Sequence, residues 1–201
     1  FIGTSLPFLL PPGLHDAEAI SEALAGPGRS RPVRRATEVV RQAVDLEHWG
    51  AFSSGFVEVF ELVMSVARGE RGRPPGTITF LSGDVHHSYV AEVTDPAGHG
   101  ASSRIVQAVC SPIRNPMPRA LRVLMSQMAK GLVRPMRWLA ARTDGVPELR
   151  YPWELTEGPW FDNNLAVAEV HDGHVTLRWV TGDVVDGDEH PRLRVVATVE
   201  V

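Results

Sequence analysis

The seventeen residues Thr77 to Val93, TITFLSGDVHHSYVAEV, decide the reading of this chain. Thr77 to Leu81 is short, apolar and rich in β-branched residues, as is Tyr89 to Val93, so each predicts a strand. Between them stand Ser82, Gly83, Asp84, Val85, His86, His87 and Ser88, a polar string at the end of a buried strand. A carboxylate and an imidazole two residues apart can reach one metal cluster from a strand end, and they suit zinc, manganese or iron. Gly83 is expected to let the backbone turn so that the next side chains point into a cleft. Spacing alone leaves a second reading open, a Gly-Asp turn carrying surface histidines.

Outward from that string, Arg104 to Cys110 predicts a third strand, with Asp95 to Ser103 as a hairpin loop. Towards the N-terminus, Phe1 to Leu10 reads as a strand running into the Pro11-Pro12-Gly13 loop. Helical spacing follows over His15 to Leu24, over about Pro32 to Trp49, and after a Ser53 or Ser54 cap through Val66. Towards the C-terminus, a helical run from about Pro118 to Arg142 is interrupted near Gly131 and Pro135. Its Met125, Met128, Leu132, Met136 and Leu139 line one face and predict core. Leu165 to Val170 and Val175 to Val180 predict a hairpin about Asp172-Gly173, Gly182 to Pro191 a polar loop, and Leu193 to Val201 a closing strand. Helices followed by short strands predict an α/β fold, a sheet covered by helices.

Composition bounds the function. Of 201 residues, 43% are hydrophobic and 22% charged, the balance of a globular domain. A net charge of -4 offers no overall basic field for nucleic acid. Arg29, Arg31, Arg34 and Arg35 read as a solvated loop and helix start. No apolar stretch reaches the ~20 residues that cross a bilayer. The single cysteine, Cys110, allows no intrachain disulfide and reads as a buried structural thiol. It fits a cytoplasmic protein and does not exclude an exported one. Phe1 begins inside a strand-like segment, and an earlier part of the chain is expected.

The string Leu81-Ser82-Gly83-Asp84-Val85-His86-His87-Ser88-Tyr89 resembles the last metal-binding motif of PhoD-like alkaline phosphatases. These belong to the calcineurin-like metallophosphoesterases, whose last motif is usually Gly-His-x-His. Asp84 stands where the first histidine would be, and His86 at the second. The resemblance extends to Phe1-Ile2-Gly3-Thr4-Ser5-Leu6-Pro7 with Leu10-Pro11-Pro12, to Asp45-Leu46-Glu47-His48-Trp49 with Phe52, and to Cys110 through Pro116, as in actinobacterial-type members. It is fainter over Trp160 to Val170.

The resemblance implies a four-layer α/β/β/α sandwich of which residues 1–201 are the C-terminal half, 1–116 bearing the motifs and 117–201 a helical segment with closing strands. It implies a binuclear centre of iron and calcium, with zinc or manganese as the alternatives, and a small phosphate-ester substrate. His86 would hold a metal, and Asp84 would ligate or orient. His87 would face the cleft or hydrogen-bond a neighbour. Arg114 would hold phosphate through its planar fork, or else form a structural salt bridge. Ser5 would line the pocket, or be a plain strand-end serine. No Gly-Asp or Gly-Asn-His string precedes Gly83, so the remaining ligands are expected from an absent N-terminal half. A degenerate, non-catalytic module is the rival expectation. Glu47, His48, His171, His174, Asn163 and Asn164 read as structural or solvated, and Asp16 as a helix-start residue favoured by the dipole.

Overall fold

A computed structural model describes residues 1–44, 48–115, 117–171, 174–183 and 192–201. Asp45 to Glu47, Pro116, the Asp172-Gly173 turn and most of the Gly182 to Pro191 loop lie outside the described residues.

The chain is mixed α/β. Its main sheet takes strands β1 (Ile2–Gly3), β2 (Thr77–Ser82), β3 (Ser88–Val93), β4 (Arg104–Val109) and β5 (Trp153–Trp160) in the order β1-β2-β4-β3-β5. β1, β2 and β4 run parallel; β3 and β5 run antiparallel to their neighbours. A second sheet, β6 (Asn164–His171), β7 (His174–Asp183) and β8 (Arg192–Glu200), is an antiparallel meander.

Strand alternation sends side chains to two different cores. On one side, Phe80, Tyr89, Ala91, Ile105 and Val109 meet the helices α1 (Pro12–Ala25) and α3 (Ser53–Ala67), with Phe56, Phe60 and Met64 from α3. On the other, Val90, Val106 and Ala108 meet Leu177 and Trp179 of the second sheet. The Trp179 Nε1–H donates to the Val109 carbonyl at 3.0 Å, tying the sheets together. Three layers result: helices, the five-stranded sheet and the three-stranded sheet. α2 (Arg31–Val44) flanks α1, and α4 (Arg119–Ser126), a π-helical turn and α5 (Val133–Ala140) form one run broken at Leu132.

Several expectations change. The apolar run Phe1 to Leu10 is strand only at Ile2–Gly3. Pro7 to Leu10 is a buried loop, permitted because the Phe8 and Leu9 amides both donate to the Gln107 side-chain oxygen, at 2.8 and 3.2 Å. β5 is a strand that the pattern did not reveal. The helix expected to Trp49 is described as far as Val44, and Trp49–Ala51 is a 3-10 turn. α3 begins at Ser53 without a side-chain cap. In the methionine stripe Met128 is buried, but Leu132 and Leu139 are 38% and 43% exposed. Asp16 is no helix-start residue; it is buried and paired with Arg137 at 2.9 Å.

Candidate functional site

Three parallel strands end side by side, and the loops leaving their carboxyl ends interlock. After β1, the Thr4 amide donates to the Leu81 carbonyl at 3.0 Å, and the Gly83 amide donates to Ser5 at 3.3 Å. After β4, the Cys110 amide donates to Ser82 at 3.0 Å. The Ser111 hydroxyl then accepts from the His86 amide at 3.1 Å, and the Asn115 carbonyl lies 3.3 Å from His86 Nδ1. Ser5, Asp84, His86 and Arg114 therefore sit on adjoining loops, all four exposed. The crevice outside the carboxyl ends of parallel strands is where α/β sheets bind ligands.

The turn itself departs from expectation. Gly83 is not the left-handed residue; Asp84 (φ 61°) and His86 (φ 56°) are. Gly83 matters for closeness instead, since a Cβ there would lie 3.2 Å from the Cys110 carbonyl oxygen. A left-handed backbone at a residue other than glycine costs roughly 1–2 kcal/mol and persists where surroundings over-determine it, often at functional sites. Through the turn Asp84 and His86 are exposed, while Val85 and His87 are buried.

His86 and His87 have opposite fates. A carbonyl only accepts, so His86 Nδ1 carries the proton toward Asn115, and Nε2 keeps its lone pair while the ring is neutral. That is the tautomer a metal ligand needs. The His87 ring is buried, donates Nδ1–H to the Val85 carbonyl at 2.7 Å and stacks on Tyr89 at 5.3 Å. Burial lowers its pKa to about 4, opposed by the Val85 hydrogen bond and assisted by the His48 and His86 charges. Of the two readings of His87, the geometry has it bonding a neighbour.

A polar cluster behind the turn was not read from the sequence. Glu18, on α1 and fully buried, accepts from His48 Nδ1 at 2.7 Å, and its second oxygen has no partner. Gly50 makes room for it, since a Cβ there would stand 2.9 Å from that second oxygen. His48 is therefore a partner of a buried carboxylate rather than helix surface. His15, also buried, has a pKa lowered to about 3, first by burial and then by Arg137. Nothing in the helical pattern of residues 12–25 announces that this face buries polar groups.

Around the site, Asn164 is structural, donating Nδ2–H to Ser88 at 3.1 Å. Cys110 is half-buried, and burial raises its pKa. His171 and His174 are exposed on the second sheet. Arg114 is exposed and forms no ion pair among the described residues. Cavities of about 910 and 490 Å³ open on the helical side, one lined by Gly28, Ser53 and Asp144, the other by His15, Asp16 and Arg137. Neither is lined by the strand-end residues.

The fit to a metal centre is incomplete within this chain. Asp84 and His86 supply oxygen and nitrogen donors suited to iron, zinc or manganese, but no group of three or more such side chains could hold an ion among the described residues. Comparison with protein-family models, with curated proteins and with solved structures yields no match.

Proposed function

We propose that this chain is the C-terminal half of a PhoD-like metallophosphatase that hydrolyses phosphate mono- or diesters. The observation that carries the reading is the convergence of Ser5, Asp84, His86 and Arg114 at the carboxyl ends of β1, β2 and β4. His86 and Asp84 supply two donors of a binuclear centre, and the other ligands come from an N-terminal half. Bound metals of this kind polarise phosphoryl oxygens and acidify a bound water. Arg114 offers a planar fork to the phosphate, and the Ser5 loop walls the crevice beside it.

The finer architecture belongs to the same proposal. β1 is an edge strand of only two residues, and the outer face of the second sheet exposes Leu165, Leu193 and Val195. An unpartnered apolar sheet face suits a further helical layer, which would complete an α/β/β/α sandwich. The incomplete donor set gives the rival reading, a degenerate non-catalytic module, its one support.

The test uses the longer chain, with both halves, and reads bound metal by elemental analysis. His86→Ala should lose metal and activity together, because removing a ligand opens the site to water. His171→Ala, far along on β6, should change neither. Full metal occupancy in His86→Ala would remove the motif from the site, and a longer chain that binds no metal would favour the degenerate module.

A further inference from the structure

Between Asp95 and Asp144 the chain has no acidic residue, yet eight of its 20 lysines and arginines fall there. Most lie on or beside the helical run Arg119–Ala140. Arg137 turns inward to Asp16 of α1. Arg119, Lys130 and Arg134 are exposed and have no carboxylate partner among the described residues.

The same run shows apolar side chains to solvent. No residue of α4 is buried. Val123 is 63% exposed and Leu124 45%, and beyond the π-helical turn Trp138 is 58% exposed. The Arg142 guanidinium stacks over the Trp138 ring, 4.1 Å from its centroid. α4 packs Met125, half-buried, against the core but fully buries no side chain, so this eight-residue helix draws little from packing and is marginal in water on its own. It gains a partner by lying on a surface.

Two features select the partner. Exposed Val, Leu and Trp have no use on a phosphodiester backbone, where contacts are charged or polar. A protein partner would have to bring a carboxylate to each of these three cations, since a charge buried in an interface without one is costly. An anionic bilayer accepts both: apolar groups enter the headgroup boundary while cations meet lipid phosphate. Trp favours that same boundary.

We propose that Arg119–Ala140 is an interfacial anchor that seats the protein on an anionic lipid surface. The anchor lies on the membrane and does not cross it; no helix among the described residues is long and apolar enough to cross. The inference does not depend on phosphatase chemistry.

Sedimentation with vesicles tests it. The chain should partition onto phosphatidylcholine vesicles containing phosphatidylglycerol, weakly onto phosphatidylcholine alone, and less as salt rises. The combined variant Arg119→Gln, Lys130→Gln, Arg134→Gln should bind roughly a hundredfold more weakly, at about 1 kcal/mol per charge near the surface. Val123→Ser with Trp138→Ser should cost about tenfold or more through lost apolar insertion. Unchanged melting temperatures would show that both variants fold. The proposal is overturned if the parent chain ignores anionic vesicles, or if it binds both vesicle types equally. It is overturned equally if the charge variant binds as the parent does, if duplex RNA is bound as tightly as lipid, or if α4 instead forms a lipid-independent dimer abolished by Val123→Glu.

Discussion

Two polar regions lie close together here, and they treat ionisable groups in opposite ways. Along α1, His15, Asp16 and Glu18 are buried, held by Arg137, His48 and aromatic rings such as Phe56 and Trp153. At the strand ends, Asp84, His86 and Arg114 face water, the first two on a left-handed backbone. The first arrangement spends polar groups on fixing a structure. The second spends backbone strain on holding side chains outward. A polar residue's chemistry is set by which arrangement holds it, and neighbours in sequence such as His86 and His87 can belong to different ones.

Acid should separate the two regions most strongly. His15 and His87 have folded pKa values lowered to about 3 and about 4, against an ordinary value of 6.5. Between those limits the unfolded chain binds the protons, so stability is fully present above about 6.5 and falls as pH drops. At pH 5 each histidine should cost roughly 2 kcal/mol. Thermal melts from pH 7 to pH 5 should show a steep loss, flattened in His15→Phe and in His87→Phe. A flat profile in the parent would mean that the interior is not as dry as described.

Arg114→Lys, in the longer chain, sharpens the other side of the comparison. Lysine keeps the charge but loses the fork, so kcat/KM should fall about ten- to a hundredfold, the equivalent of a charged hydrogen bond of about 1.5–3 kcal/mol. Metal content should be unchanged. A lower melting temperature with normal kinetics would instead make Arg114 a structural residue.

The smallest effect tests the strain. Asp84→Gly removes a side chain from a left-handed position and should raise stability by about 1 kcal/mol, while weakening whatever the turn binds. The measurement is a pair of denaturation curves. A destabilised variant would show that Asp84 is held by contacts rather than strained for a purpose.

Much of this was legible in the sequence, for identifiable reasons. The strands flanking Gly83 were clear because each is a compact apolar run closed by a polar string. The hairpin from β3 to β4 was marked by its polar loop, and the helices by their spacing. β5 was hidden because its alternation, Trp153-Glu154-Leu155-Thr156, is cut short at Glu157, and Gly158-Pro159 reads as a turn. Phe1 to Leu10 misled because an apolar run can be a buried loop when one side chain, here Gln107, satisfies its amides. The Glu18–His48 pair joins residues 30 positions apart across two elements, and only tertiary packing reveals it. The candidate site was readable as a string of residue types. Its convergence with Ser5 and Arg114 needed the parallel order of β1, β2 and β4, which no local pattern encodes.

The most direct trial of the account is hydrolysis of p-nitrophenyl phosphate and bis-p-nitrophenyl phosphate with iron and calcium, zinc or manganese supplied. The account predicts no meaningful turnover by these 201 residues alone, because two donors cannot fix a binuclear centre. It predicts metal-dependent turnover when an N-terminal half is joined to them. Turnover by the 201 residues at a rate matching the longer chain, or a longer chain inert with every metal, would contradict it.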